Sequence, residues 1–188
     1  IWIENASSHN LIDSSLVRDT GAGGIRVGVG KPLVPEIGGI DGSDHNTITD
    51  STFVQGSMVY HEGNGVLLQK VSYTTVKNCE VAYYNQVGSS GGGTWQYLGG
   101  NSEAHHNIIK DCHAHHFGNG DLSDLAGIYF LGVSPGSGAY GNHIHDAYPY
   151  FQFGHGIYTD QASSDVVISG NLAHHTSPRI PNRASSIA

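Results

Sequence analysis

The chain holds 188 residues, 27 of them Gly, with 13% charged, 38% hydrophobic and a formal net charge of −8 at pH 7. Average globular chains carry about a quarter charged residues and about 7% Gly, so this one is charge-poor and Gly-rich. There is no strict Gly period for collagen and no apolar run near the ~18 residues of a membrane span. With 8 Lys+Arg against 16 Asp+Glu, a basic nucleic-acid footprint is absent too.

Short period-two alternations recur along the chain, each opened by Asn or a substitute. In order they are His9-Asn10-Leu11-Ile12, His45-Asn46-Thr47-Ile48, Tyr73-Thr74-Thr75-Val76, His106-Asn107-Ile108-Ile109, Gly141-Asn142-His143-Ile144 and Gly170-Asn171-Leu172-Ala173. Their Asn-equivalent positions lie 36, 28, 33, 35 and 29 residues apart. Between them a second marker repeats: Gly24-Ile25, Gly65-Val66, Gly127-Ile128 and Gly156-Ile157, with Gly91-Gly92-Gly93 assigned to the same place in the third unit. No sustained helical stripe appears. Antiparallel sandwiches do not require one residue type at one place in every unit, whereas stacked parallel coils do, because equivalent side chains lie ~4.8 Å apart. The expectation is an all-β chain: a right-handed parallel β-helix, a solenoid of about six coils. It is read as a single β-helix domain over residues 1–188, a fragment of a longer solenoid, since Ile1 follows no initiator Met or signal-peptide pattern.

On this register Asn10, Asn46, Asn107, Asn142 and Asn171 form one turn ladder, and Asp50, Asn78, Asp111 and Asp146 another. Cys79 and Cys112 share a column with Ser51 and Ala147. Their separation would permit a disulfide, but two small buried thiols are the favoured reading.

The Gly-Ile strand places Ile157 inward, Tyr158 outward, Thr159 inward and Asp160 outward, and the preceding coil matches it with Ile128 inward and Tyr129 outward. Tyr129 and Tyr158 are thus outward neighbours. They serve either as a platform for sugar rings or as a pair that stabilises adjacent strands. Gln96, Leu67, Gln69 and Arg26 are expected further down that face. The loop Gly118–Leu125 brings Asp121 and Asp124 to the strand edge, and Glu62 occupies the equivalent loop of the second coil. Hydrolysis of a glycosidic bond needs two flanking carboxyl groups, and Asp124 with Asp160 is the best candidate pair. On flat strands these two would stand some ~20 Å apart, so the pair requires the loop to fold back. Otherwise the residues are turn formers.

The runs Asp121-Leu122-Ser123-Asp124-Leu125-Ala126-Gly127-Ile128-Tyr129, Ser134-Pro135-Gly136, Asn142-His143-Ile144-His145-Asp146, Gly156-Ile157-Tyr158-Thr159-Asp160 and Ser163-Ser164 resemble a segment of bacterial right-handed parallel β-helix proteins, pectate-lyase-like in fold. The similarity covers residues 101–176, which would carry the active-site coils. It implies a carbohydrate-active protein of the glycoside hydrolase type, secreted or periplasmic, with a polysaccharide or oligosaccharide substrate. It also marks Asp124 and Asp160 as characteristic acidic positions. Gln161 stands where such proteins usually have Glu, and His155 where an aromatic residue is typical.

The expected function is glycosidic hydrolysis by Asp124 and Asp160. Tyr129, Tyr158, His155, Asp121, Glu62 and Gln96 would contact sugar, and no cofactor or metal is required. One alternative is a non-catalytic carbohydrate-binding or structural module. A second is a polysaccharide lyase, which would need a Lys or Arg base and usually Ca²⁺. Lys110 is the only basic residue between Lys77 and Arg179, and it belongs to a different strand from Tyr129. Nine of the thirteen histidines cluster in the later coils, where His145 and His174 should stack outward near Lys110. Structural or hydrogen-bonding roles are expected for them, with zinc the alternative. No nucleic-acid or membrane partner is expected.

Overall fold

A computed structural model describes residues 1–28, 42–92 and 104–176. Gly93 and Gln96 lie outside the described residues. The chain winds through six coils of three short strands each. The first coil holds β1 (Trp2–Ile3), β2 (Leu11–Asp13) and β3 (Leu16–Arg18), and the second β4 (Ile25–Val27), β5 (Thr47–Thr49) and β6 (Thr52–Val54). The third holds β7 (Val66–Gln69), β8 (Thr75–Lys77) and β9 (Glu80–Ala82), and the fourth β10 (Val87–Gly92), β11 (Ile108–Lys110) and β12 (His113–Phe117). The fifth holds β13 (Leu125–Leu131), β14 (Val133–Tyr140) and β15 (His143–Ala147), and the sixth β16 (Gly154–Thr159), β17 (Ser164–Ser169) and β18 (Leu172–His174). Equivalent strands pair in parallel to give three six-stranded sheets: β1-β4-β7-β10-β13-β16, β2-β5-β8-β11-β14-β17 and β3-β6-β9-β12-β15-β18. The all-β solenoid of about six coils is as expected.

The core is a set of side-chain columns. The first sheet turns Ile25, Val66, Ser89, Ile128 and Ile157 inward in register. The second contributes Ile48, Val76, Ile109 and Ala139, and the third Phe53, Val81, Ala114 and Ile144. All of these are buried, and each large aliphatic one removed from water contributes about 1.5–3 kcal/mol. Where the first and third sheets approach most closely there is no room for a side chain on the first. A Cβ on Gly65 would overlap Val81, one on Gly127 would overlap Ile144, and one on Gly156 would sit 2.7 Å from Ala173 Cβ. Close approach, not a special backbone angle, selects glycine here.

Each coil turns three corners, and a left-handed residue marks them. At the corner between the second and third sheets stand Ser14, Asp50, Asn78, Asp111, Gly141 and Gly170, all with φ between 49° and 69°. Asn and Asp tolerate this conformation better than other side chains. The Asn beside a corner satisfies backbone groups of the preceding coil. Asn46 Oδ1 accepts the Asn10 N–H at 2.9 Å, Asn107 Oδ1 accepts the Thr74 N–H at 3.1 Å, and Asn107 Nδ2 donates to the Val71 carbonyl at 2.7 Å.

Four register expectations need correction. Asn142 and Asn171 do not continue the ladder of Asn10, Asn46 and Asn107. The Asn107 N–H donates to Ser137 Oγ, whereas Asn142 lies one corner later and accepts the Cys112 N–H. Asn performs the same capping at both corners, so its recurrence does not say which corner it occupies. Asp146 likewise leaves the column of Asp50, Asn78 and Asp111, whose next member is Gly141. Ala147 pairs with Phe117, so Cys112 has Asn142 and not Ala147 above it. In the fourth coil Gly88-Ser89, not Gly91-Gly92-Gly93, takes the Gly-Ile position, because Ser89 pairs with both Val66 and Ile128. Cys79 and Cys112 are buried free thiols, and the hydrogen bond to Cys79 together with burial pushes the Cys112 thiol up.

Gly127→Ala should lower stability by about 1–3 kcal/mol, the usual range for overpacking a filled interior. The urea midpoint reads this directly. Gly21→Ala, whose methyl would meet nothing nearer than Val59 at 3.4 Å, should stay within about 0.5 kcal/mol of the parent.

Candidate functional site

The outer face of the first sheet carries one column across all six coils: Trp2, Arg26, Leu67, Ser90, Tyr129 and Tyr158. At its lower end Arg26 lies 4.3 Å over the Trp2 ring and bonds Glu4 at 3.1 Å, so its charge is already engaged. At the upper end Tyr129 and Tyr158 meet edge to face, with ring centroids 5.3 Å apart.

The loop between β12 and β13 is pinned to the loop before β16. The Gly120 N–H donates to the Tyr148 carbonyl at 2.7 Å, the Tyr150 N–H to the Leu122 carbonyl at 2.7 Å, and the Phe151 N–H to Ser123 Oγ at 3.1 Å. It ends at Asp124, whose φ of 61° turns the chain sharply into β13. Asp160 follows β16. Its own N–H donates to the Phe130 carbonyl at 3.0 Å, and its carbonyl accepts the Ser163 N–H at 2.9 Å.

Both carboxylates line one groove of about 290 Å³ on this face, together with Glu62, Gln86, Ser90 and Tyr129. The Tyr129 hydroxyl donates a very short hydrogen bond to Asp160 Oδ2. Tyr158 lies between the two acids. Burial pushes its hydroxyl up to about 12, reinforced by the charges of Asp124 and Asp160 and by hydrogen bonding of the one hydroxyl proton to these carboxylates. The phenol is therefore a neutral donor at physiological pH. His155 packs against Tyr158 at a tilt of 45°, with ring centroids 4.5 Å apart, and its Nδ1 is buried without a hydrogen-bond partner. Burial holds this imidazole below its ordinary value, against the pull of Asp124 and Asp160.

The loop does fold back, so the separation expected for flat strands is not observed. Asp124, Asp160, Tyr129, Tyr158 and His155 come together, and Glu62 lies on the groove's edge. Asp121 does not join them. It accepts a hydrogen bond from Asn85 at 3.2 Å, lies 3.3 Å from His61, and lines a separate pocket with Tyr83 and Asn119. Ser90, Gln86 and Asn64 line the groove unforeseen. The misplacement of the fourth-coil glycine concealed Ser90, and reading Gly88-Ser89 as the marker would have exposed it. Among the described residues no Lys or Arg lines the groove. Lys110 lies on the second sheet between Lys77 and Tyr140, and His145 contacts His113, His174 and Asp146.

A family model described as "Right handed beta helix region" matches residues 37–187. A search of curated proteins finds no match. Among solved structures, one titled "Glycoside hydrolase" is similar, with a TM-score of 0.74 and 20% identity over 100% of this chain and 36% of that one. The likeness is one of fold, and the chain spans about a third of that protein's length.

The convergence on Tyr158 can be measured by NMR titration of labelled tyrosine. Tyr158 should titrate well above the ordinary tyrosine value near 10, and Asp160→Asn should move it down toward that value. An unchanged Tyr158 titration in that variant would place Asp160 outside its surroundings.

Proposed function

Because the chain belongs to the right-handed β-helix family, we propose that its groove takes a polysaccharide chain and hydrolyses a glycosidic bond with Asp124 and Asp160. The observation that carries this reading is the pair of carboxylates converging on one phenol in an open groove. A glycosidic bond breaks when one carboxylic acid protonates the leaving oxygen and a second carboxylate supplies the base or nucleophile. Asp160 accepts the Tyr129 hydroxyl at Oδ2, which orients its carboxylate in the groove. Asp124 stands exposed at the loop corner, where it can reach a leaving group from the solvent side. Tyr129, Tyr158 and His155 supply flat rings for the sugar's apolar faces, and Ser90 with Gln86 supplies donors and acceptors for its hydroxyls. The similarity of fold to a glycoside hydrolase supports the reading. A secreted or periplasmic location follows from such a substrate.

The test is digestion of a polysaccharide panel, read by new reducing ends. Asp124→Asn and Asp160→Asn should each lower turnover at least about 100-fold, the scale of a lost general acid or base, with circular dichroism unchanged. Activity retained in both variants would remove the pair from the mechanism. Retention of the polysaccharide without cleavage would make the domain a binding module. A Ca²⁺-dependent, ultraviolet-absorbing product would make it a lyase.

A further inference from the structure

The third sheet carries an array that this function does not use. β12 brings His113 and His115 outward, β15 brings His143 and His145 directly above them, and β18 adds His174 above His145. Some of these rings simply stack, as parallel in-register strands require: His113 on His143 at 5.0 Å and 6°, His145 on His174 at 4.9 Å and 4°. Stacking of that kind needs no ligand. The diagonal contacts are different, because there the rings meet edge to edge through their nitrogens. His113 Nε2 lies 2.8 Å from His145 Nε2, and His143 Nε2 lies 2.9 Å from His174 Nε2. One ligating atom from each of His113, His143 and His145 lies within 4.8 Å of the other two.

We propose that His113, His143 and His145 form a binding site for a late first-row divalent metal ion of the zinc type, on a face of the solenoid separate from the carboxylate groove. Neutral imidazole is the donor that zinc, nickel and copper prefer. Three such donors with an open fourth position match a familiar zinc set, and His174 stands beside the vacancy. His145 is already oriented for the task. Its Nδ1 lies 2.7 Å from Asp146 Oδ2, so the carboxylate accepts a hydrogen bond from Nδ1–H and the Nε2 lone pair points at His113. An imidazole held by a carboxylate on its far nitrogen is the arrangement that supports metal ligands. The spacing is close to what an ion needs. Two nitrogens bound at ~2.0–2.1 Å in a tetrahedral site stand about 3.3 Å apart, so His113 and His145 need to separate by only about half an ångström. A repeat supplies stacked histidine pairs without any ligand. What favours a ligand is the converging nitrogens with the oriented His145, neither of which stacking demands.

The experiment uses the chain as it stands, freed of metal by a chelator and titrated with zinc sulfate by calorimetry and with cobalt chloride by visible absorption. One equivalent of zinc should bind with micromolar or tighter affinity, and cobalt should give an intense tetrahedral band. His143→Gln and His145→Gln should each weaken binding at least tenfold. Asp146→Asn, which removes only the orienting carboxylate, should weaken it about tenfold. His45→Gln, in a stacked pair with Tyr73 on another face, should change nothing. Should a glutamine variant fail to fold, imidazole nitrogen shifts in the wild type on zinc addition locate the site without substitution, and His113, His143 and His145 should move first. Weak binding of several equivalents, absence of the cobalt band, or equal loss in His45→Gln would overturn the proposal.

Discussion

Strict vertical register between coils is the constraint on which everything else in this molecule depends. Each backbone N–H of one strand finds its carbonyl in the neighbouring coil, so a slip of one residue would send a whole inner column to the outside. The glycines at positions 65, 127 and 156 set this register. They sit where the first and third sheets come too close for a Cβ, and a slipped strand would put a side chain there. Alternation from that fixed point then determines the rest of the strand. Ile128 and Ile157 face inward, and Tyr129 and Tyr158 face out as direct neighbours.

Register alone does not build the groove. Strand alternation delivers phenols to the outer face but leaves the two acids at opposite ends of it. The loop that ends at Asp124 closes this gap through main-chain and Ser123 bonds to residues 148–153, and the left-handed corner at Asp124 completes it. The site thus combines two kinds of positioning. The sheet holds Tyr129 and Tyr158 rigidly, while a loop clamped to its neighbour holds Asp124.

The fold was legible because a repeat writes the same local rule many times. Ile128 and Ile157 could be placed inward from alternation alone, and the structure stacks them so. The corners were harder to read. Asn10 and Asn142 look alike because an Asn side chain caps the neighbouring coil at either corner, so residue identity could not distinguish the two turns. Within the site, Tyr129 and Tyr158 followed from the sheet's period, but the meeting of Asp124 with Asp160 depends on loop-to-loop hydrogen bonds that leave no periodic mark. Asp121 shows the same limit from the other side. It is only three residues from Asp124, yet Asn85 and His61 draw it to a different pocket.

The shortage of charge now has a physical cause. In a parallel stack each residue lies about 4.8 Å from its counterparts in the coils above and below, so a charged position repeated through the coils would set like charges beside each other. Neutral groups that tolerate self-stacking fill the outer columns instead: Ser90, Tyr129 and Tyr158 on the first sheet, histidines on the third. Where carboxylates occur they alternate with other groups. Thr49 and Asn78 donate to Asp50, which holds that carboxyl below its ordinary value, and Asp146 lies between His116 and His175 at its own corner. Lys77 beside Lys110 is an exception, eased by Asp50 next to Lys77. Columns chosen to avoid repulsion are also columns of like donors, so the rule that keeps the solenoid charge-poor places imidazoles in register on one face. The two acids of the groove escape the rule because they occupy different positions of the coil, one before its strand and one after, and so can face each other across a phenol instead of stacking.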